Sequence, residues 1–162
     1  MNCAPPTARR DDFLIIGYGN TLRGDDGAGP RAAEAVSAMN LPGVHALACP
    51  LLAPELADAV SQARVVLFVD AAVDSPREVR LRELQPSVSA QSLAHAADPA
   101  VILALARDVF GHAPKAWWLT IPAVKFDFGE EFSPEAQQGL AIALGKIQEL
   151  CGAPKPKSCS CS

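Results

Sequence analysis

Short apolar runs alternate with helix-forming segments along this chain, and that alternation is the strongest constraint on its fold. Runs at residues 13–17, 65–69 and 116–121 are apolar and too short for typical helices, so they predict buried strands. A weaker strand is predicted at 44–48, and an edge strand with one wet face at 79–84, where apolar and charged residues alternate. The pattern predicts a three-layer α/β sandwich, with a mostly parallel sheet of about five strands flanked by helices.

Capping residues mark the helices between the predicted strands. Two helices are predicted to open with an N-cap side chain followed by proline, at Asp98-Pro99 and at Ser133-Pro134. Gly111 is placed to end the first of these two helices. Two earlier helices are predicted at 31–39 and 54–61 from their helix-forming residues.

Length and charge narrow the classes of partner. The 162 residues suit one domain, which we place at 1–152, and the composition of residues 153–162 predicts a disordered tail. A net charge of −4 argues against nucleic acid and anionic membrane as partners. No apolar run approaches the roughly 20 residues of a membrane helix, and residues 1–12 lack the apolar centre of a secretion signal. The odd count of 5 cysteines does not suit a disulfide framework, so we expect a cytoplasmic protein.

Residues 18–29 are predicted to form a glycine-rich loop that matches neither of two common phosphate-binding motifs. Gly17-Tyr18-Gly19 begins like a dinucleotide motif, but the third glycine of that motif would fall at Leu22. The spacing from Gly19 to Gly24 is that of a P-loop, but Asp25-Asp26 stands where lysine and serine or threonine are required. Two carboxylates repel phosphate, so the loop suits a cation. In the alternative, the glycines only shape a long turn and the two aspartates are solvated.

The same loop carries a family resemblance. Residues 19–29 read GNTLRGDDGAG, which resembles without a gap the G-N-x-L-x-G-D-D/E-G-x-G signature of the hydrogenase maturation proteases. These endopeptidases trim the C-terminal extension from the large subunit of [NiFe]-hydrogenases. Later landmarks are similar as well, and the resemblance extends from Phe13 to about Leu150. These later landmarks are the family's second acidic site at Asp70, its histidine at His95, and its C-terminal third at Ile121-Pro122, Phe128-Gly129 and Ser133-Pro134-Glu135.

The resemblance implies a site and a substrate. Asp26, Asp70 and His95 would be the catalytic residues and would also bind nickel, or a surrogate divalent metal, with the nickel brought by the large-subunit precursor. Asp26 departs from the family pattern, in which the first acidic ligand is often glutamate. Residues 49–56 read CPLLAPEL where many members have a Gly-Thr-containing segment. That variant is similar to the branch that serves soluble, cytoplasmic NAD-reducing hydrogenases.

Topology brings the same residues together without the family. In the common 2-1-3 strand order, Asp26 in the loop after the first strand and Asp70 at the end of the third flank the point where strand order reverses. His95 precedes the helix capped by Asp98 and can reach the same edge. Two carboxylates and an imidazole suit Ni²⁺, Zn²⁺ or Mn²⁺. The alternatives are that Asp70 caps a following turn and that His95 is an exposed loop residue.

Other residues with possible chemistry receive weaker expectations. Asp25 either orients a ligand from behind or forms the turn. His45 and His112 are expected to be structural or exposed. Cys159 and Cys161 form a Cys-x-Cys pair that is either incidental or a soft-metal site. No serine, cysteine or threonine has an identifiable base partner, so no acyl-enzyme is expected.

The predicted function is an aspartyl-type endopeptidase activity that activates a hydrogenase by removing the C-terminal extension of its nickel-loaded large subunit. Two alternatives stay open. One is a non-catalytic, metal-sensing chaperone of the large subunit, and the other is a general divalent-metal peptidase.

Overall fold

The computed structural model describes residues 12–73, 78–88 and 98–152. Five strands form one sheet in the order β2-β1-β3-β5-β4. Their bounds are Phe13–Tyr18 (β1), Val44–Cys49 (β2), Val65–Ala72 (β3), Arg80–Leu84 (β4) and Lys115–Pro122 (β5). The helices are Ala28–Ala38 (α1), Leu56–Gln62 (α2), Pro99–Phe110 (α3) and Pro134–Leu150 (α4). A 3-10 helix at Gly24–Gly27 directly precedes α1.

The sheet is mostly parallel, as the alternation of elements predicts. β1, β2, β3 and β5 run parallel, and among the described strands only β4 is antiparallel, at the edge beside β5. Helices α2 and α3 cover one face, with a core that includes Ile16, Val60, Phe68 and Leu103. Helices α1 and α4 cover the other, with a core that includes Ile15, Val36, Leu67 and Ile147. The predicted three-layer α/β sandwich is therefore confirmed, and β1 and β3 lie side by side at the predicted reversal of strand order.

The predicted helix caps are also confirmed. The Asp98 side chain accepts a hydrogen bond from the Ala100 N–H, and the Ser133 hydroxyl oxygen accepts one from the Ala136 N–H. Gly111 ends α3 in the left-handed conformation, with φ of 81°. These caps depend on contacts within three residues, which is why the sequence reveals them.

Two predicted boundaries are wrong in ways that matter for the site. Residues 18–29 are not all loop, because the 3-10 helix runs directly into α1, which begins before Pro30. Asp70 does not end its strand, because β3 continues to Ala72, which pairs with Pro122 of β5. Asp70 therefore lies inside the strand, paired with Thr120 of β5, one residue beyond the last pairing of β3 with β1.

A close backbone approach holds the start of α1 against the sheet. A Cβ atom at Gly17 would overlap the carbonyl oxygen of Gly29, and one at Gly29 would lie 2.5 Å from the carbonyl oxygen of Val69. Two glycines are therefore required where α1 crosses β1 and β3. This contact fixes the acidic loop over the carboxyl ends of those strands.

Some predictions fall outside the described residues. These are His95, the Cys159 and Cys161 pair, and the tail 153–162. Within the described ranges, no helix combines the length and apolar character needed to cross a membrane. The edge strand is confirmed at β4, where Arg82 and Glu83 are exposed.

Candidate active site

Asp25 is the most completely hydrogen-bonded side chain near the sheet edge. Its carboxylate is 0% exposed. Oδ2 accepts hydrogen bonds from the Val124 N–H at 2.8 Å, the Lys125 N–H at 2.9 Å and the Ser133 hydroxyl at 2.6 Å. Oδ1 accepts one from the Ser133 N–H at 2.7 Å. One side chain therefore ties the 3-10 helix to the segment between β5 and α4.

These donors decide the ionisation of Asp25. Burial acts to raise its pKa, but the hydrogen bonds from Ser133, Val124 and Lys125 outweigh burial and lower the pKa below its ordinary value. Asp25 is thus a buried, ionised carboxylate that acts as a structural clamp. Sequence analysis expected a ligand-orienting residue or a turn former, and the donors lie too far along the chain to be foreseen.

Main-chain contacts reinforce the clamp. The Asp25 N–H donates to the Lys125 carbonyl oxygen at 2.8 Å, and the Gly24 N–H donates to the Gly129 carbonyl oxygen at 2.8 Å. The Gly129 N–H in turn donates to the Leu22 carbonyl oxygen at 2.8 Å. The part of the glycine-rich loop from Leu22 to Asp25 is therefore held by hydrogen bonds to residues 124–133.

Asp26 faces a different environment from that of its neighbour. It is half-buried, and its Oδ2 accepts a hydrogen bond from the Asn20 N–H at 2.9 Å. The Asn20 side-chain oxygen accepts from the Leu22 N–H at 2.9 Å, which shapes the turn. Gly19, with φ of 145°, lies against the Asp26 carbonyl group, where a Cβ would overlap it. The loop geometry therefore holds Asp26 in place and leaves it partly open to a ligand.

Asp70 is half-buried near the carboxyl end of β3, with the Ala71 N–H donating to its Oδ1 at 2.8 Å. Burial raises the pKa of Asp70 to about 6, and the negative charge of Asp26 adds to the rise. The Ala71 N–H and Tyr18 act in the opposite direction without offsetting it. The structure thus brings Asp26 close enough to Asp70 for its charge to act on the Asp70 carboxyl group.

A pair of carboxylates of this kind can hold a cation. Asp70 has too few donors to offset its burial, and a cation beside it and Asp26 would supply the missing positive charge. In the part of the chain that the structure describes, no three His, Cys, Asp or Glu side chains group closely enough to hold a metal. Two of the three predicted ligands are described, and the third, His95, lies outside that part.

The remaining histidines behave as expected. His45 on β2 and His112 after α3 are both exposed and lie away from the two carboxylates in the chain fold. Sequence analysis named Asp25 as a ligand-orienting residue or a turn former but not as a clamp, and it did not single out Tyr18, at the end of β1. A tyrosine at the end of an apolar run is typical of a core position, so the sequence carries no signal for a role in the site.

Solved structures share this arrangement of strands and helices. A hydrogenase 2 maturation peptidase from a Thaumarchaeota archaeon matches 88% of this chain and 99% of its own, with 23% identity and a TM-score of 0.65. The hydrogenase maturating endopeptidase HybD from E. coli matches 85% of this chain and 90% of its own, with 19% identity and a TM-score of 0.70. This chain has the fold of the hydrogenase maturation peptidases.

A third structure agrees with that assignment. The [NiFe] hydrogenase maturation protease HycI from Thermococcus kodakarensis matches 88% of this chain and 93% of its own, with 19% identity and a TM-score of 0.67. No family model matches the chain, and no protein of curated function matches it by sequence. The resemblance found in the sequence is therefore confirmed at the level of the fold.

The Asp25 clamp can be tested by replacing its charge. Asp25→Asn keeps the shape of the side chain but replaces one acceptor oxygen with an NH₂ group. That group is itself a donor and would face the donors of Val124, Lys125 and Ser133. We expect the free energy of unfolding to fall by about 3 kcal/mol, measured by urea denaturation at pH 7. Because folding lowers the pKa of Asp25, the loss should shrink as the pH falls below about 4. Asp127→Asn, at an exposed loop position, is the control, and equal stability of the two variants would contradict the clamp.

The raised pKa of Asp70 predicts that stability changes with pH in the direction opposite to that expected for Asp25. Folding raises the pKa above the unfolded value of about 3.9, so stability is lost as the pH rises from about 4 through 6. Asp70→Asn removes the buried charge and should be more stable than the unaltered chain by about 2 kcal/mol at pH 8. The gain should vanish near pH 4, in unfolding curves measured with a chelator present. A gain that does not change with pH would show that burial of the charge is not its source. Asp58→Asn, at an exposed position of α2, serves as control.

Proposed function

We propose that this protein is an endopeptidase that removes the C-terminal extension from the precursor of a [NiFe]-hydrogenase large subunit. The observation that carries the proposal is that the family-like loop holds Asp26 beside Asp70, at the reversal of strand order, on a fold shared with maturation peptidases. Ligands of such sheets bind at that edge. Fold alone would not support an activity, but fold and loop sequence point to the same residues.

In this proposal Asp26, Asp70 and His95 bind the nickel that the precursor carries. The metal is then part of the substrate, and its attraction to two carboxylates makes docking depend on nickel loading. Binding of the cation would favour the charged form of Asp70, whose pKa is raised in the free protein. The Asp25 clamp keeps the loop fixed, so the site is formed before substrate arrives. In this proposal a carboxylate of the pair would also accept a proton from the attacking water.

Exposed apolar side chains support a protein substrate. Phe128 is 87% exposed although its neighbour Gly129 is hydrogen-bonded to the glycine-rich loop. Leu51, which is 60% exposed, and Leu22, which is 48% exposed, project from two other loops at the carboxyl edge of the sheet. A cavity of about 350 Å³ lies between the loop that carries Leu22 and the loop that carries Leu51. Apolar side chains on a fixed backbone are typical of surfaces that bind protein.

Residues 49–56 bear on which type of hydrogenase supplies the precursor. Residues 49–56 connect β2 to α2 and carry the exposed Leu51, and the Gly19 N–H donates to the Cys49 carbonyl oxygen at 3.1 Å. The segment with the distinctive Pro-Glu-Leu sequence therefore borders the acidic loop. We infer that it contacts the precursor, and that the precursor belongs to a soluble NAD-reducing hydrogenase of the cytoplasm.

The decisive experiment compares two forms of the precursor. The purified protein is incubated with nickel-loaded and nickel-free large subunit, and the intact mass of the subunit is measured. We expect shortening of the nickel-loaded form alone, because the carboxylates recognise the cation. Equal cleavage of both forms would overturn nickel recognition. A stable complex with unchanged mass would identify a chaperone, and cleavage of unrelated peptides with added metal would identify a general peptidase.

Variants extend this test to single residues. Asp26→Asn, Asp70→Asn and His95→Ala should each lower processing at least 100-fold without unfolding the chain, since each removes a ligand. Asp58→Asn and His112→Ala are matched controls at exposed positions and should process normally. Normal processing by any of the three ligand variants would show that its residue is not part of the site.

The docking surface gives a separate prediction. Phe128→Ser removes the most exposed aromatic side chain at the carboxyl edge and should raise the KM for the precursor about tenfold, with kcat nearly unchanged. Val109→Ser is the control, because Val109 is 66% exposed but lies at the end of α3. An unchanged KM for Phe128→Ser would exclude this side chain from substrate binding.

A further inference from the structure

Tyr18 and Asp70 are neighbours across two paired strands. Gly17 of β1 is paired with Val69 of β3, so the next residue of each strand, Tyr18 and Asp70, is at the same level of the sheet. Side chains alternate along a strand, and Tyr18 and Phe68 belong to the same core cluster. Asp70 follows Phe68 by two residues and therefore faces the same side, which α2 and α3 cover.

The Tyr18 hydroxyl is a buried donor without a partner. Tyr18 is only 8% exposed, and within the described ranges its Oη makes no hydrogen bond. The indole N–H of Trp118 on β5 is buried and unpaired in the same way. Buried polar groups are nearly always hydrogen-bonded, because each loses its contacts with water on folding. Two unpaired donors on one face of the sheet therefore call for a functional explanation.

Both donors belong to the surroundings of Asp70. The Asp70 carboxylate and the Trp118 indole both lie close enough to Tyr18 to affect its hydroxyl, and Tyr18 affects the Asp70 carboxyl group. A phenol carries its proton at neutral pH, so the Tyr18 hydroxyl is available as a donor. Within the described residues, the Tyr18 hydroxyl forms no hydrogen bond with the Asp70 carboxylate.

We propose that Tyr18 is a positioning residue for Asp70, donating its hydroxyl hydrogen to the carboxylate when Asp70 binds a cation, with the Trp118 N–H donating to the Tyr18 oxygen. The inference rests on the proposed function, since it takes Asp70 to be a metal ligand. The Ala71 N–H already orients one carboxylate oxygen, and Tyr18 adds a second point of attachment. Hydrogen bonds of this kind fix the direction of a ligand and strengthen the metal site.

Removal of the hydroxyl alone tests the proposal. Tyr18→Phe in the full chain should lower the affinity for Ni²⁺ by about 10- to 100-fold, measured by isothermal titration calorimetry. The same variant should unfold at an equal or higher urea concentration without metal, because an unpaired buried hydroxyl is lost. A merely structural tyrosine would not separate metal affinity from stability in this way.

The two adjacent tryptophans provide a matched pair of variants. Trp118→Phe removes the second unpaired donor and should weaken Ni²⁺ binding by a few-fold. Trp117 belongs to the cluster on the opposite face of the sheet, so Trp117→Phe should leave Ni²⁺ affinity unchanged. This pair keeps the test valid if Tyr18→Phe does not fold.

The outcomes separate this inference from the proposed function. Full Ni²⁺ affinity in Tyr18→Phe, together with loss of binding in Asp26→Asn and Asp70→Asn, would overturn the role of Tyr18 alone. A lower unfolding midpoint for metal-free Tyr18→Phe would also overturn it, since the hydroxyl would then be bonded without metal. Unaltered binding in the two aspartate variants, or no Ni²⁺ binding by the unaltered chain, would overturn the metal site and this inference together.

Discussion

The burial of one ionised carboxylate organises the functional edge of this protein. Asp25 is inaccessible to solvent and is stabilised by four hydrogen bonds from the segment between β5 and α4. A buried charge without such donors would be strongly destabilising, so loop and segment must fold together. Ser133 has two duties, because its hydroxyl donates to Asp25 and accepts from the Ala136 N–H at the start of α4. The clamp therefore joins the acidic loop to the last helix.

The three aspartates of the site show how environment assigns different chemistry to the same side chain. Asp25 has enough donors to stay ionised in spite of burial, so its pKa is lowered. Asp70 is half-buried with fewer donors and lies beside the charge of Asp26, so its pKa is raised to about 6. The first carboxylate is enclosed by its donors and closed to solvent, and the second would gain stability from a cation. Pairs of acidic groups with opposite shifts are typical of functional sites.

Most of the fold could be predicted because its signals are local. Strand positions follow from short apolar runs, and the starts of α3 and α4 follow from caps that act over two or three residues. The boundaries near the site were less predictable. β3 continues beyond Asp70 because β5 pairs with it as far as Ala72, and the 3-10 helix replaces part of the expected loop because the Asp25 clamp holds it. Both causes are contacts with distant parts of the chain, so the residues at these two boundaries do not reveal them.

The sequence by itself determined the layered α/β fold, the capped helices and an acidic loop unsuited to phosphate, since each depends on residues close together along the chain. Only the tertiary structure decided that the adjacent Asp25 and Asp26 differ in role. The donors that bury Asp25 come from residues 99 to 108 positions later in the chain. Tyr18 likewise gains its relation to Asp70 through strand pairing. Contacts over such separations arise from folding, so no local pattern records them.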